Sequence, residues 1–264
     1  MFFFWANKKN VVIVFLLIFW YFRFMKNEKS LVIFDMDGTI LNTLQDLADS
    51  CNYILQQYQM PLRTVEEIRF FVGNGIPKLI QRAFPKNTDE KLLQNALKDY
   101  IEYYEKNACV KTCPYEGIVD LLQTLKQKGF LLAVNTNKVN EAANILCNKF
   151  FPNIFDFVLG SSKDLPTKPN PEGVFRIIKN IEETTLKNNP EKINLNNVFF
   201  VGDSDVDIQT GLNAGVTAFG VRWGFRGKDF LLKHGAKKVA KDTHELLEMI
   251  CLNQNIKGEV KNEE

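Results

Sequence analysis

The sequence predicts an α/β protein with a doubly wound parallel sheet and a helical cap inserted after the first strand. Two patterns along its 264 residues indicate this fold class. Short apolar runs alternate with helical stretches, which is typical of parallel strands joined by crossover helices. Residues 43–112 contain several helical stretches but no convincing strand, so they predict a helical insert between the first two strands.

Five short apolar runs predict the strands of the sheet. They lie at residues 31–35, 130–135, 155–159, 198–202 and 216–221. Strands that are buried on both faces of a parallel sheet have continuous rather than alternating apolar sequence, and these runs have that form.

Capping and breaker residues predict the helices of the sheet domain. A helix over residues 116–128 is closed by Gly129, and Asn170 followed by Pro171 opens a helix that runs to Ile181. In the insert, helices are predicted at residues 44–58 and 90–106. The polar residues 187–197 predict a surface loop, and residues 253–264 a frayed tail.

These elements predict four parts of the chain. Residues 1–29 form an apolar extension or anchor, residues 30–42 and 113–252 the α/β core, residues 43–112 the cap, and residues 253–264 the polar tail.

The amino-terminal extension contains an unbroken apolar run over residues 11–22, with Lys8 and Lys9 before it and Arg23 after it. A spanning helix needs about 20 apolar residues, and a run of 10–14 resembles a signal peptide core, yet no small-residue cleavage site follows. Three interpretations stay open: a short anchor, a degenerate signal, or an extension upstream of a natural start at Met25. The third is preferred, since the first strand follows closely. An anchor would leave the globular part of the chain in the cytoplasm, because more positive charge flanks the carboxyl end of the apolar run than its amino end.

Charge excludes some partners. The net charge is +2, but residues 30–264 hold 28 basic and 30 acidic residues, so the globular part is not basic and nucleic acid is not expected as a partner. No cysteine has an arginine six positions later, which excludes the cysteine-nucleophile phosphatase pattern. We expect a cytoplasmic protein whose membrane contact, if it has one, is limited to residues 1–25.

Four polar clusters lie at the carboxyl ends of predicted strands or in the loops that follow them. They are DMDGT at 35–39, NTNK at 135–138, KPNP at 168–171 and GDSDVD at 202–207. Each alone is compatible with a turn or a helix cap. Open α/β sheets bind ligands along this edge, so four clusters at strand ends together predict a site there.

The four clusters resemble those of the haloacid dehalogenase superfamily of aspartate-nucleophile phosphohydrolases, over about residues 30–250. The insert resembles that family's cap, and the stretch FVGNG at 71–75 is similar to phosphoglycolate phosphatases in particular. Asn42 and Thr43 depart from the usual Asp-Ser of relatives, which we expect to alter packing near the site rather than the chemistry.

The resemblance implies a role for each cluster. Asp35 is the nucleophile that forms an aspartyl-phosphate, and Asp37 is the acid–base residue. The Thr136 hydroxyl and Lys168 hold the phosphoryl oxygens, and Asn137 contacts substrate. Mg²⁺ is the expected cofactor, because a hard cation takes oxygen ligands. Its predicted ligands are Asp35, Asp203, the backbone carbonyl of Asp37, and Asp207 through a bound water.

The cap predicts the substrate class. A cap that closes over the site leaves room for a small phosphorylated metabolite, with 2-phosphoglycolate the leading candidate. The turn of Gly73, Asn74 and Gly75 precedes a helix start, which favours an anion, and Arg82 is a second predicted contact. An equal alternative is that the two glycines only shape a tight turn. Pyrophosphatase, sugar-phosphate phosphatase, nucleotide phosphatase and phosphomutase stay open, and the oligomeric state is not predicted.

Overall fold

The computed structural model describes residues 28–187 and 192–259. The strands are β1 (Glu28–Phe34), β2 (Leu41–Asn42), β3 (Cys113–Pro114), β4 (Leu131–Val139), β5 (Phe157–Ser161), β6 (Lys192–Gly202), β7 (Thr217–Val221) and β8 (Lys238–Ala240). The helices are α1 (Leu44–Gln57), α2 (Val65–Phe71), α3 (Ile76–Ala83), α4 (Glu90–Asn107), α5 (Ile118–Gln127), α6 (Asn140–Phe150), α7 (Glu172–Glu183), α8 (Asp205–Asn213), α9 (Lys228–Lys233) and α10 (Thr243–Glu259).

Six parallel strands form the central sheet in the order β5-β4-β1-β6-β7-β8. Strand β1 lies between β4 and β6 and is paired with both. Its side chains alternate between two apolar clusters: Val32 and Phe34 belong to one, and Leu31 and Ile33 to the other. Both faces of the sheet are therefore covered, and the predicted α/β fold is confirmed.

Helices cover the two faces of this sheet. On the face of Val32 and Phe34, α5, α6 and α10 contribute buried leucine, isoleucine, alanine and methionine side chains. On the opposite face, α7 packs through Val174, Ile177 and Ile181. The Asn170 side chain accepts the amide of Glu172 at 2.9 Å and so caps the start of α7.

The cap consists of α1 to α4, inserted between β2 and β3. These two short strands pair in antiparallel register, Leu41 with Pro114, and so bring the two connections of the cap together. The four helices bury an apolar cluster of their own, which includes Tyr100 and Tyr104 of α4. In the connection, Asp46 accepts the backbone amides of Lys111 and Thr112 and ties α1 to the returning chain.

Strand β6 is longer than predicted. The expected loop over residues 187–197 is wrong from Lys192 onwards, because β6 begins there and pairs with the first residues of β1. The Glu28 carboxylate accepts hydrogen bonds from the side chains of Asn194 (3.1 Å) and Asn197 (2.9 Å). Polar contacts between β1 and β6 thus stabilise the first part of β6, which has no apolar run that would predict a strand.

The predicted frayed tail is wrong for its first part. Helix α10 continues to Glu259, and the buried Asn253 fixes it to the core, since its side chain accepts Lys237 Nζ at 2.9 Å and donates to the Met249 carbonyl at 2.8 Å. The edge strand β8 was not predicted, because three residues are too few to form a recognisable apolar run.

The amino-terminal predictions fall mostly outside the described residues, which begin at Glu28. Glu28 and Lys29, which the sequence assigns to the extension, belong to β1. Among residues 28–187 and 192–259, no helix combines the length and the apolarity that a membrane span needs.

Candidate active site

The predicted site residues of the core lie at the carboxyl edge of the central strands, where open α/β sheets bind ligands. Asp35 follows β1 directly, Thr136 lies near the end of β4, and Asp203 follows β6. Lys168 reaches the same edge from the loop between β5 and α7. Neighbouring strands with parallel direction thus bring together residues that are far apart in the chain.

A tight turn after β1 positions Asp35 and Asp37. The Met36 carbonyl accepts the amides of Thr39, Ile40 and Leu41 at 3.2, 3.1 and 3.0 Å, which folds the chain back on itself. Gly38 has φ +91°, and a Cβ there would collide with the Asp203 carboxylate. Glycine is required at this position both by its backbone conformation and by the close approach.

Asp35 and Asp207 share one ammonium group. Lys168 Nζ lies 2.7 Å from Asp35 Oδ1 and 2.6 Å from Asp207 Oδ1, and the three side chains are at most 11% exposed. Burial, then the Asp207 charge, raises the pKa of Asp35 to about 7, although Lys168 opposes this. Burial lowers the pKa of Lys168, but the two carboxylates outweigh it and the pKa is raised. Lys168 is therefore a fixed cation.

Asp203 completes a group of three buried carboxylates. Its oxygens accept the Thr39 hydroxyl at 3.0 Å and the Phe225 amide at 2.7 Å, both neutral donors. Burial and the charges of Asp207 and Asp35 raise the pKa of Asp203. Oxygens of the three carboxylates lie within 4.8 Å of one another, so they can hold a cation that prefers oxygen ligands.

Asp207 also takes part in the capping box at the start of α8, in which Ser204 is the N-cap residue. Its Oδ2 accepts the Ser204 amide (3.0 Å) and hydroxyl (2.6 Å), while the Ser204 hydroxyl accepts the Asp207 amide at 3.4 Å. This capping box fixes Asp207, so its second oxygen faces Lys168 in a defined direction.

Asp37 lies beside a lysine that the sequence reasoning missed. Lys138 Nζ is 3.0 and 3.1 Å from the two carboxylate oxygens of Asp37, and it donates to the Tyr104 hydroxyl of the cap at 2.8 Å. Lys138 lies in the NTNK cluster, so its position was visible in the sequence. Its contact with Tyr104 had no sequence signal.

The other two predicted residues of this cluster differ in their contacts. The Thr136 hydroxyl accepts the amide of Lys138 at 3.2 Å and lines the site cavity. Asn137 also lines the cavity, but its side chain joins the cap to the core: Nδ2 donates to the Gly73 carbonyl at 3.2 Å, and Oδ1 accepts the Lys168 amide at 2.9 Å.

The core and the cap together line a small cavity of about 40 Å³ at the site. A water molecule needs roughly 10–15 Å³ by this kind of measure, so the cavity holds only a few waters. It is lined by Asp35, Asp37, Thr136, Asn137, Lys138 and Lys168 from the core side and by Leu47, Val72, Gly73, Gly75, Ile76 and Leu79 of the cap segment.

Two predicted cap residues do not line this cavity. The Arg82 guanidinium donates to the Phe71 carbonyl at 2.7 Å and to Asn74 Oδ1 at 2.9 Å. Arg82 and Asn74 face a separate groove that also contains Arg69 and Arg226. In this arrangement Arg82 holds the turn, while Gly73 and Gly75 of that turn reach the cavity.

Comparison with known proteins agrees with this geometry. The pattern of the haloacid dehalogenase-like hydrolases matches residues 32–221. A phosphoglycolate phosphatase from Haemophilus influenzae is 32% identical over 209 residues, which covers 76% of this chain and 89% of that protein. A phosphoglycolate phosphatase from Mannheimia succiniciproducens is also 32% identical, over 213 residues, with 76% and 89% covered.

Solved structures show the same architecture. A candidate phosphoglycolate phosphatase from Lactobacillus delbrueckii superposes with a TM-score of 0.77 at 33% identity, covering 84% of this chain and 98% of that one. The fold and the family match define a hydrolase with an α/β core and a helical cap. The chain belongs to the haloacid dehalogenase-like hydrolase family. Within that family it is a phosphatase that acts on phosphoric monoesters.

Proposed function

We propose that the enzyme hydrolyses 2-phosphoglycolate to glycolate and inorganic phosphate, with Mg²⁺ as cofactor and an aspartyl-phosphate on Asp35 as intermediate. The observation that carries this proposal is the contact of 2.7 Å between Asp35 and Lys168 in a cavity that the core and the cap line together. The names of the relatives from Haemophilus and Mannheimia support the choice of substrate.

In the first step an oxygen of Asp35 attacks phosphorus. A P–O bond to Asp35 forms, and the bond to the glycolate oxygen breaks with its electron pair on that oxygen. Protonated Asp37 supplies the proton that the leaving alkoxide needs. Lys168 Nζ lies beside the attacking oxygen and balances negative charge that develops on the phosphoryl group.

In the second step water attacks phosphorus while Asp37, now a carboxylate, takes a proton from it. The bond from phosphorus to Asp35 breaks, its electron pair returns to Asp35, and inorganic phosphate is released. Thr136, whose hydroxyl lines the cavity, is proposed to hold a phosphoryl oxygen in both steps. Closure of the cap excludes bulk water during the first step.

Three buried carboxylates fit the proposed Mg²⁺. Asp35, Asp203 and Asp207 offer oxygen donors, and burial together with the charges of neighbouring carboxylates raises the pKa of Asp35 and of Asp203, which a bound cation would offset. Asp35 and Asp203 would hold the ion with the Asp37 carbonyl, and Asp207 would act through a water. When bound, the ion neutralises charge on the phosphoryl oxygens.

Metal-free protein is expected to lose stability as pH rises towards neutrality. Folding raises the pKa of Asp35 from 3.8 to about 7, so between these values the folded state binds more protons than the unfolded chain. Its free energy of unfolding therefore falls as pH increases through that window. Mg²⁺ at about 100 times its Kd adds about 2.7 kcal/mol, or roughly 5–10 °C in Tm, at pH 7.5.

Thermal unfolding of chelator-treated protein at pH 5.5 and 7.5, with and without Mg²⁺, measures both effects. Asp203→Asn removes one of the three carboxylates that repel one another. The metal-free variant should therefore have a higher Tm than the metal-free wild type at pH 7.5, and Mg²⁺ should raise its Tm only slightly. A full Mg²⁺ shift in that variant would contradict the proposed metal site.

The substrate is expected to be recognised by its carboxylate as well as its phosphate. We compare kcat/KM for 2-phosphoglycolate with that for ethyl phosphate, which has the same reacting group and similar size but no carboxylate. Hydrogen bonds to one charged group predict a preference of about 10- to 100-fold for 2-phosphoglycolate.

Arg82→Ala tests whether the cap turn helps to recognise the substrate carboxylate or only shapes the backbone. Arg82 binds Asn74 and the Phe71 carbonyl and so holds the turn of residues 73–75 in place. Its loss should disturb this turn and thereby lower the preference for 2-phosphoglycolate over ethyl phosphate. Lys78→Ala, on the exposed surface of α3, is the control. Equal rates with both substrates in wild type would overturn the assignment, and phosphate release from pyrophosphate, sugar phosphates or nucleotides would then identify the alternative.

A further inference from the structure

Lys138 connects the acid–base residue of the core to the cap. It lies one residue before the end of β4, and its side chain is 3% exposed. Its ammonium lies almost equally far from both oxygens of Asp37, at 3.0 and 3.1 Å. Two contacts of this length fix the position of the carboxyl group relative to the ammonium more tightly than a contact with one oxygen.

Tyr104 of α4 holds the other side of this ammonium. The Tyr104 hydroxyl accepts Lys138 Nζ at 2.8 Å, and the ammonium lies 4.8 Å from the centre of the tyrosine ring. Tyr104 is 2% exposed, and its ring stacks on that of Tyr100, one turn earlier in α4, with ring centres 5.5 Å apart. The cap therefore presents a fixed partner to a lysine of the core.

We infer that Lys138 is a positioning residue for the reaction: held by Tyr104 of the cap, it orients the Asp37 carboxyl group for proton transfer. The inference rests on the proposed function, in which Asp37 moves both protons. It also gives the cap a role in the chemistry. When the cap opens to admit substrate, α4 carries Tyr104 away, and the aligned arrangement of Asp37 forms again only on closure.

Lys138→Met should affect the two halves of the reaction differently when the leaving group is a weak base. With p-nitrophenyl phosphate the leaving group is a weak base, so its P–O bond breaks without a proton from Asp37. The second half still needs Asp37 to take a proton from water. The variant should therefore release one p-nitrophenolate per enzyme in a rapid burst and then turn over slowly.

With 2-phosphoglycolate the same variant should show no burst, because the alkoxide needs a proton in the first half. We expect kcat to fall about 100-fold, the size that misalignment of a reacting group produces, with KM changed by less than about threefold. Lys138→Arg, which keeps the charge, should recover part of kcat. Equal losses on both substrates without a burst, or no loss at all, would overturn the inference.

Two tyrosines of α4 provide a matched pair that keeps the cap packed. Tyr104→Phe removes the hydroxyl that binds Lys138 and should lower kcat for 2-phosphoglycolate about 10-fold, as for one hydrogen bond to a charged group. The Tyr100 hydroxyl is buried without a hydrogen-bond partner among the described residues, so Tyr100→Phe should leave kcat unchanged. Equal effects of the two substitutions would contradict the role of Tyr104, even if Lys138→Met does not fold.

Failure of the proposed function is distinguishable from failure of this inference. If the wild-type enzyme releases phosphate from neither substrate, the proposed reaction itself is wrong. If the wild type is active on both and only the variants behave differently from expectation, Asp37 does not depend on Lys138.

Discussion

Asp35→Asn is expected to abolish phosphate release, with kcat lowered on the order of 10⁶-fold, the scale reported for removal of a covalent nucleophile. The amide is a poor nucleophile, and it is also a weaker ligand for a hard cation. Steady-state phosphate release with Mg²⁺ measures the loss. Intact-protein mass measurement during turnover should detect a phosphorylated species in the wild type and none in the variant.

The fold of this variant should survive. Asp35 is buried beside Asp207, and their repulsion helps raise the pKa of Asp35, so a neutral side chain relieves an unfavourable interaction. Lys168 keeps its contact with Asp207 at 2.6 Å. Asp205→Asn is the matched control: Asp205 begins α8, faces the arginine groove rather than the cavity, and should retain wild-type turnover. Wild-type turnover in Asp35→Asn would exclude Asp35 as nucleophile.

The core of the site could be predicted from the sequence because the parallel topology of the sheet brings the ends of neighbouring strands together. Asp35 and Asp203 end neighbouring strands, so locating their strands was enough to bring them together. Lys168 lies on a loop, yet its loop leaves the same edge of the sheet. Residues at strand ends were predictable from local sequence, since the distance between neighbouring strands is fixed by backbone hydrogen bonding.

Contacts between the cap and the core were not predictable in this way. Tyr104 has a place in the apolar pattern of α4, which predicts only that it is buried. Which core residue it meets depends on how the cap docks, and no local pattern encodes that. The same reason explains why the predicted substrate contact of Arg82 is not seen. Its position after Gly75 is clear from the sequence, but its guanidinium contacts Asn74 and does not line the cavity.

Polar side chains that stabilise secondary structure were a second source of error. Asn194 and Asn197 suggested a loop, and Asn253 a tail, because asparagine favours both. In the structure each has a specific partner, Glu28 for the first two and Lys237 for the third. Composition cannot distinguish an asparagine that faces solvent from one whose partner is distant in the chain.

Asp37→Asn is expected to lower kcat for 2-phosphoglycolate by about 10²–10⁴-fold, the usual contribution of one general acid–base residue. The amide keeps the size of the side chain and leaves the backbone carbonyl in place, so Mg²⁺ should still raise Tm as in the wild type. Asp203→Asn should lose that shift. Comparison of the two variants therefore separates the contribution of proton transfer from that of metal binding.

A double variant tests whether Asp37 and Lys138 act together. If Lys138 works by orienting Asp37, then Asp37→Asn already removes most of what Lys138 contributes, and adding Lys138→Met should cost far less than its single effect. Residues that act as one unit are non-additive in this way. If the two losses multiply instead, Lys138 acts on the phosphoryl group independently, as a second cation of the cavity beside Lys168.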